Sequence, residues 1–312
     1  MIGPASRRGF SLIELVIVLA IIGVLIAMSA TGLMYLKRHA GLTEQANDLR
    51  QVGLAWKQYS VDSRDRFVPG WISRETQKEL RLVLTYPDGH LIPPAPTFEE
   101  DLPDIAAPWT WRLAPHLGSD LVPLLDREAR SALPIVDYPE YGEQIAYHPA
   151  FAYNGWYVGG HYDMSPATGR PRLEFTRARL SDRTHDNVVA ESLGKMKRPA
   201  STYVFMAGAL MPTARSWGIS DADEAAQHWF EVTPPILADQ RQWNILSFDD
   251  IETFEADVAI PRIGSDMRLP VYFADGHVAS QSATDLADQS HWIDAAKMVK
   301  DIPAKQFTHE AE

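Results

Sequence analysis

Glu14 is the residue whose position most needs a chemical explanation. It stands at the edge of a run, Leu15–Leu36, that contains no charged side chain. A carboxylate among apolar residues costs roughly 2.5–3.5 kcal/mol at the centre of a bilayer, and less near an end. A cut between Gly9 and Phe10 gives the chain a new α-amino group one helical turn from Glu14, or beside Glu14 of an adjacent subunit. If such a cut is made, this amine is an available ionic partner for Glu14.

The apolar run after Glu14 has the length of a membrane-spanning helix. About 20 residues without charge are enough to cross the ~30 Å hydrocarbon layer. Arg7 and Arg8 precede the run, and positive charge ahead of an apolar segment favours a cytoplasmic N-terminus. We therefore expect a transmembrane helix segment at residues 10–36, with the rest of the chain exported.

The same stretch resembles the processing signal of type IV pilins and type II secretion pseudopilins. That signal consists of basic residues, glycine and then phenylalanine-(T/S)-L-(I/L)-E-(L/V), and this chain has R-R-G-F-S-L-I-E-L at residues 7–15. The resemblance implies a leader of residues 1–9, removed after Gly9 by the prepilin peptidase/N-methyltransferase, which also methylates Phe10. It further implies that Glu14 guides docking onto other pilin-like subunits at an inner-membrane assembly platform.

Two simpler interpretations of the N-terminus stay open. An ordinary signal anchor would tolerate Glu14 near the cytoplasmic face. A secretory peptide cut after Ala27-Met28-Ser29, where small residues flank a large one, would release a soluble periplasmic protein. The glutamate inside the apolar region argues against this second interpretation.

Composition limits the classes of function that remain. The formal net charge of −12 opposes binding to nucleic acid, so we expect no nucleic-acid partner. The chain has no cysteine, which excludes thiol catalysis and cysteine-ligated metals and leaves the exported part without disulfides. Many pilins of thick surface fibres close a C-terminal loop with a disulfide, so the resemblance favours a pseudopilin or a minor pilin.

An apolar stripe extends the helix beyond the apolar run. Five apolar or small residues follow one another at helical intervals of three and four positions: Leu42, Ala46, Leu49, Gly53 and Trp56. The polar residues between them predict a solvated face: Glu44, Gln45, Asp48, Arg50 and Lys57. The pilin resemblance implies that residues 37–60, an amphipathic continuation of the helix, lean on an antiparallel sheet. A free coiled-coil stalk would use the same stripe.

Residues 61–312 are expected to form an exported pilin-like α+β head domain. The fold class that we expect is α+β, with a long N-terminal helix packed on an antiparallel sheet and with loop-rich insertions. Asp, Ser, Pro and Gly between residues 61 and 70 indicate the end of the helix. The many prolines of residues 71–118 predict a loop-heavy insertion that runs over the surface, with one tight turn at residues 88–89.

Local patterns predict further elements in the head. Runs of aromatic and β-branched residues predict strands at 151–158, 202–207 and 228–232. Helical spacing predicts a short helix at 119–133 and a closing helix at 285–300.

Residues 269–280 carry the clearest strand-turn-strand pattern of the chain. Large pilin-like proteins with a prepilin leader often end in (N/V)-V-x-F-A-D-G-H-V, and this chain is similar at five motif residues: Phe273, Ala274, Asp275, Gly276 and His277. Those relatives place a histidine nine residues before the Asp-Gly pair. Ser265 stands at that position here, so a ligand-binding role of the histidine is not carried over.

No catalytic or metal-binding motif is complete elsewhere in the sequence. The histidines and carboxylates form neither H-E-x-x-H nor the turns of a P-loop, a Rossmann fold or a nucleophile elbow. The acidic residues between 249 and 257 are dense but lack the spacing of a calcium loop, which favours a solvated face. We therefore expect no enzyme and no cofactor; calcium stays open, without assigned ligands.

The resemblance implies two functions. The first is a structural subunit of a type IV pilus-like or type II secretion pseudopilus fibre. Such a subunit is held in the inner membrane with a periplasmic head until it joins a periplasmic or cell-surface fibre. The second is a minor or tip subunit whose head binds carbohydrate or secreted protein. Nine tryptophans, all beyond the apolar run, supply either core anchors or surfaces for such binding.

Overall fold

The computed structural model describes residues 12–86, 89–92, 104–118, 120–125, 130, 138–173, 177–179, 185–210, 229–232, 259–261, 268–286 and 288–296. The chain divides into two units, residues 1–45 and 46–312. The described α-helices are α1 (Leu12–Asp62), α2 (Arg74–Leu80), α3 (Thr110–Leu113), α4 (Tyr138–Tyr147) and α5 (Ala283–Leu286). The described strands are β1 (Trp71–Ile72), β2 (Ala152–Tyr153), β3 (His161–Met164), β4 (Pro171–Leu173), β5 (Arg177–Arg179), β6 (His185–Asn187), β7 (Tyr203–Met206), β8 (Gly208–Leu210), β9 (Ala259–Pro261), β10 (Arg268–Phe273) and β11 (Val278–Ser282).

The first unit, where described, is the N-terminal part of α1. Its large apolar side chains are exposed around the whole helix, from Leu12 to Met28. A helix that is apolar on every side is typical of a segment whose surroundings are apolar.

The second unit begins with the last part of α1, one face of which is buried. Leu49, Val52 and Trp56 are fully buried. The ring of Trp56 stacks on Phe67 at 4.3 Å between centroids, and its indole Nε1 donates a hydrogen bond to the hydroxyl of Tyr153 at 3.1 Å. The predicted apolar stripe is therefore confirmed at Leu49 and Trp56.

The predicted solvated face of this helix is wrong at Asp48. Asp48 is buried, and its carboxylate accepts a hydrogen bond from Nη2 of Arg130 at 2.6 Å. The same arginine donates from Nε to the carbonyl of Leu125. A buried carboxylate needs a charged partner of this kind. Because Arg130 is 82 positions away in the sequence, helical periodicity could not identify it.

An antiparallel sheet of order β11-β10-β7-β2 is buried on both faces at its inner strands β7 and β10, whose pairing has a register shift between Tyr272 and Phe273. One face, which includes Phe205 and Tyr272, shares a core with the last part of α1. The other face, which includes Tyr203 and Phe273, packs against Trp292 near the C-terminus. The predictions of a mixed helix-and-sheet fold and of an antiparallel sheet are confirmed.

A smaller sheet of order β1-β3-β4 contains a close crossing of two backbone segments. The N–H of Gly70 donates to the carbonyl of Gly160 at 2.9 Å. A Cβ on Gly155 would lie 2.8 Å from the Cα of Gly70 and 2.3 Å from Oε1 of Glu231. The glycines at these positions therefore allow two chains to pack against each other.

Residues 71–118 were predicted to be a loop-heavy insertion that runs over the surface, and this prediction is wrong for part of the segment. It contains α2 and α3, and Trp109 and Trp111 are fully buried. Their indole N–H groups donate to the carbonyls of Phe230 at 2.5 Å and Gly142 at 2.9 Å. The large rings fill the core while their polar atoms find backbone partners. The predicted turn at residues 88–89 lies partly outside the described residues, but Thr85 and Leu91 pair across it.

Arg112, also in this insertion, is a buried cation held by backbone carbonyls. Its guanidinium donates to the carbonyls of Ala106 at 2.7 Å and of Ala107 and Pro69 at 2.9 Å each. Burial lowers the pKa of Arg112 to about 10, against the opposing influence of Tyr59, Asp104 and Tyr153. The side chain thus ties three points of two loops together.

The predicted closing helix at 285–300 is wrong over its described part. Helix α5 ends at Leu286, and a short 3-10 turn, Gln289–His291, follows. The carboxylate of Asp288 accepts a hydrogen bond from the N–H of Ser290 at 2.8 Å, and that of Asp294 accepts from the N–H groups of Lys197 and Arg198 at 2.6 Å each. Asp288 is thus the N-cap of the short 3-10 turn, and Asp294 ties this segment to residues 197–198.

The remaining local predictions have mixed outcomes. The strand at 202–207 is confirmed as β7, whereas the strand at 151–158 contracts to β2 because the chain turns after Asn154. The segment at 228–232 contributes one bridge, between Glu231 and Tyr153. The helix predicted at 119–133 is described only in part: residues Val122–Leu124 form a 3-10 turn, and Arg130 is α-helical.

Candidate functional site

The predicted processing site precedes the first described residue, Leu12. Arg7, Arg8, Gly9 and Phe10 lie outside the described residues. The backbone of Glu14 is in the first turn of α1, but its side chain is outside the description. The ion pair between Glu14 and the amine of Phe10 therefore stays a prediction.

A membrane-spanning helix must be both long enough and apolar enough to cross the hydrocarbon layer. In the part of the chain that the structure describes, no helix meets the combined length and apolarity of a membrane span.

The C-terminal motif forms the predicted β-hairpin, with β10 and β11 joined by a tight turn. The N–H of Gly276 donates to the carbonyl of Phe273 at 2.9 Å, and Gly276 has a φ of 107°, a conformation that favours glycine. Oδ1 of Asp275 lies 2.6 Å from Nδ1 of His277 and accepts a hydrogen bond from the backbone N–H of His277 at 3.1 Å. The imidazole stacks on Phe273 with 4.1 Å between centroids. The structure thus brings these motif residues together.

Electrostatics at the hairpin favour an ionised Asp275. Partial burial by itself raises the pKa of Asp275, but the backbone N–H and ring of His277, together with the charge of Lys57, lower it below its ordinary value. The carboxylate therefore acts as an acceptor that holds the turn and orients the imidazole.

The hairpin is attached to the last part of α1 by two contacts that sequence reasoning missed. Nζ of Lys57 donates to the carbonyl of Asp275. The ring of Tyr272 occupies the space above Gly53, where a Cβ would lie 2.1 Å from the ring. Gly53 and Lys57 are four residues apart and therefore share one face of the helix. That spacing was the available signal, but it did not indicate the partner.

A second histidine forms a buried contact with a carboxylate elsewhere in the head. Nε2 of His161 lies 2.6 Å from Oε1 of Glu231, and the ring of Trp156 lies over the imidazole at 4.1 Å. The pair attaches the short segment 229–232 to β3. Because the two residues are 70 positions apart, a local sequence motif could not predict that they are in contact.

A cluster of partly exposed rings lies beside this segment. Trp71, Tyr147, His148 and Trp229 are each partly exposed, and Phe230 is buried beneath them. The centroid of Phe230 is 5.7 Å from Trp71, 5.8 Å from Tyr147 and 5.0 Å from Trp229, and His148 is 5.6 Å from Trp229. We call these five residues the aromatic platform. By contrast, Trp56, Trp109, Trp111 and Trp292 are core residues.

A metal site would need several His, Asp or Glu side chains close together. Across the described ranges, no three His, Asp or Glu side chains converge so as to hold a metal ion. The acidic residues 249–257, considered for calcium, lie outside those ranges.

Comparison with known proteins identifies the N-terminal segment. Residues 4–30 match the family model of the prokaryotic N-terminal methylation motif. This match supports a type IV pilin-like or pseudopilin protein, which is a structural rather than a catalytic class, and it implies processing by the prepilin peptidase and assembly with other pilin subunits. No curated protein and no solved structure matches the chain. The likeness of the C-terminal hairpin to a large pilin-like subgroup gains no support from the comparisons.

Proposed function

We propose that this protein is a structural subunit of a type IV pilus-like or type II secretion pseudopilus fibre. The observation that carries the proposal is the methylation motif at residues 4–30. The prepilin peptidase removes residues 1–9 and methylates Phe10. The segment 10–36 keeps the subunit in the inner membrane, with the head in the periplasm, until an assembly platform moves it into the fibre.

The surface of the first part of α1 supports this assignment. The four consecutive apolar residues 15–18 point to successive sides of the helix, about 100° apart, and all four are exposed. Burial of apolar surface is favourable by about 25 cal/mol per Å². Exchange of lipid for a bundle of like helices keeps this surface away from water throughout assembly, and packing between helices then drives association.

Glu14 provides the specificity of docking in this proposal. An unpaired carboxylate in an apolar bundle is strongly unfavourable, and a methylated Phe10 amine on the neighbouring subunit offsets that cost. Cleavage after Gly9 therefore creates the docking partner, which makes processing a condition of assembly.

Mass spectrometry of the protein from envelope fractions tests the processing step. We expect a mature N-terminus at a methylated Phe10. A chain that retains Met1, or one that begins at Ala30, would remove the fibre-subunit proposal.

Replacement of the carboxylate tests the docking step. We expect Glu14→Ala to be processed normally but to enter sheared fibre or pseudopilus fractions at a small fraction of the wild-type level. Glu44→Ala is the matched control, because Glu44 is an exposed glutamate on the same helix. Equal incorporation of the two variants would contradict a docking role for Glu14.

The aromatic platform favours a second candidate, a minor or tip subunit that displays a binding head on the same helix. Rings that remain partly exposed after the core has formed are common at recognition sites. This function shares the processing chemistry of the first and differs in the role of the head.

A further inference from the structure

We propose that Asp104 holds a proton in the folded head and that its carboxyl group forms a doubly hydrogen-bonded pair with the side-chain amide of Gln77. The pair is a pH-sensitive junction between helix α2 and the loop of residues 104–109. The inference goes beyond the fibre-subunit proposal, because it concerns the fold of the head and does not depend on processing or assembly of α1.

One hydrogen bond joins the two side chains and leaves two oxygen atoms over. Nε2 of Gln77 donates to Oδ2 of Asp104 at 2.9 Å. The remaining oxygens of the same two groups, Oε1 of Gln77 and Oδ1 of Asp104, are both buried, and neither has a hydrogen-bond partner among the described residues. Buried acceptors without a donor are unfavourable, so the arrangement calls for a hydrogen atom between them.

The orientation of the Gln77 amide follows from its second contact. Nε2 also donates to the carbonyl of Ile72 at 2.8 Å. An inverted amide would place Oε1 against that carbonyl oxygen and against the carboxyl group of Asp104, which would bring three acceptors together. Gln77 is fully buried, so its amide does not reach water. Gln77 therefore has no further donor to offer to Oδ1 of Asp104.

The guanidinium of Arg112 does not supply the donor either. Its Nη1 and Nη2 groups bind three backbone carbonyls, and its Nε is buried without a partner among the described residues. A proton taken from solvent onto Oδ1 of Asp104 provides the missing group. A protonated carboxyl has one O–H donor and one acceptor oxygen, and an amide has the complementary pair, so the two groups form two hydrogen bonds side by side.

The backbone of Asp104 restrains its carboxyl group beside Gln77. The carbonyl of Asp104 accepts hydrogen bonds from the N–H of Ala107 and from the hydroxyl of Tyr147, at 3.0 Å each. Loss of the proton from Asp104 therefore leaves two acceptor oxygens without a donor at a fixed point of the fold. Ionisation weakens the attachment of α2 for this reason.

Burial is the largest influence on the charge of Asp104. It raises the pKa of the carboxyl group above its ordinary value and outweighs four influences that lower this pKa: the amide of Gln77, the charges of Arg74 and Arg112, and the N–H of Ala106. Helices α2 and α3 thus each bring one cation to the site, and β1 brings an uncharged carbonyl. Helix α4 brings the hydroxyl of Tyr147, on which the charges of Asp104 and Glu143 also act.

The raised pKa of Asp104 gives the pH dependence its sign. Its ionisation opposes folding as the pH rises above the unfolded value of about 3.9, and this cost disappears as the pH falls. Asp285 is the opposite case, because hydrogen bonds from Ser282 lower its pKa. The contribution of Asp285 to stability is therefore present above the unfolded value and is lost as the pH falls.

Thermal unfolding of the full chain in detergent micelles, between about pH 7 and about pH 4, tests the proposal with two amide variants. Asp104→Asn replaces the protonated carboxyl by an amide with one donor and one acceptor in the same places. We expect it to melt a few degrees above the wild type at neutral pH, with a difference that shrinks on acidification. Asp285→Asn is the matched control, and it should melt below the wild type at neutral pH.

A second measurement observes the proton directly. In carbon NMR of the chain with isotope-labelled aspartate carboxyl groups, we expect a resonance that titrates with a midpoint above about 3.9. This resonance should disappear in Asp104→Asn and shift in Gln77→Ala, which identifies it even if Asp104→Asn does not fold.

Three results would overturn the proposal. They are an Asp104→Asn variant that melts below the wild type at neutral pH, a difference between these two chains that does not change with pH, and the absence of a raised midpoint that responds to Gln77→Ala. The first result would show that the ionised carboxylate is the favourable form beside Arg74 and Arg112. None of the three alters the mass of the mature N-terminus, so the fibre-subunit proposal is tested separately.

Discussion

Helix α1 has one continuous backbone but two kinds of surface. At its beginning Leu12 is 81% exposed, and the apolar side chains that follow are exposed around the helix; near its end Trp56 is 0% exposed. The last part has the narrow apolar stripe of a helix that packs against its own domain, whereas the first part is apolar on every face. The apolar stripe of the last part is therefore covered by the head domain of the same chain. The apolar surface of the first part is not covered by the described chain, as is typical of a helix with apolar surroundings.

The largest effect is expected where the last part of α1 enters the core. Trp56→Ala removes a fully buried ring that stacks on Phe67 and binds Tyr153, and we expect it to lower the free energy of unfolding by about 3–5 kcal/mol. Leu54→Ala is the control on the same helix, since Leu54 is 64% exposed, and it should change stability by less than about 0.5 kcal/mol. Urea titration followed by far-UV circular dichroism measures both. Equal losses would show that the two faces do not differ as described.

Two glycines of α1 sharpen the comparison. A Cβ at Gly53 would overlap the ring of Tyr272, whereas a Cβ at Gly23 meets nothing within 4 Å. We expect Gly53→Ala to destabilise the head by about 1–3 kcal/mol through overpacking. Gly23→Ala should not destabilise it, because alanine is the better helix former by about 1 kcal/mol. Thermal unfolding of the two variants measures the difference.

A double-mutant cycle identifies the cause of the Gly53 effect. In a Tyr272→Ala background the ring is gone, so Gly53→Ala should cost nothing further. A loss that persists in this background would place the strain elsewhere in the helix.

The end of α1 offers a smaller, stabilising change. Arg64 follows the helix with a φ of 58°, a left-handed conformation that costs a non-glycine residue about 1 kcal/mol or more. We expect Arg64→Gly to raise the free energy of unfolding by up to about 1 kcal/mol, because glycine adopts this conformation without strain. Arg50→Gly, inside the helix, should instead destabilise by about 1 kcal/mol. Thermal melts that move in the same direction would contradict this reading of the helix end.

The smallest effect concerns pH at the contact between the hairpin and α1. The pKa of Asp275 is lowered in the folded state, so its stabilising contribution is present above the unfolded pKa of about 3.9 and is lost as the pH falls through the folded value. Since Asp275 is largely exposed, we expect less than about 1 kcal/mol. Asp275→Asn should therefore reduce the slope of stability against pH between about 5 and 2. Acid unfolding monitored by fluorescence checks this, and an unchanged slope would contradict it.

Local patterns predicted the parts of the fold that depend on local physics. The end of α1, strand β7 and the β10–β11 hairpin follow from breaker residues, β-branched runs and an Asp-Gly turn. The closing helix was wrong over its described part, where Asp294 binds the N–H of Lys197, 97 positions away; helical spacing carries no information about a contact of that range.

The candidate site was predictable to the same extent. The methylation motif is a short continuous pattern, and residues 4–30 match it. The contact between Lys57 and Asp275 joins positions 218 residues apart, and the pair of His161 and Glu231 joins positions 70 apart. Contacts of this range depend on the folded topology, so residue types and spacing alone do not reveal them.

Buried Arg112 has a consequence for how the head reaches a unique arrangement. Its Nη1 and Nη2 groups are hydrogen-bonded only when the carbonyls of Pro69, Ala106 and Ala107 meet around them, while Nε is buried without a partner among the described residues. A misfolded packing that encloses this cation with fewer carbonyls leaves further N–H groups without an acceptor and carries a larger desolvation penalty. Arg112 therefore disfavours incorrect packing of the two loops, because such packing would leave more of its buried N–H groups without an acceptor.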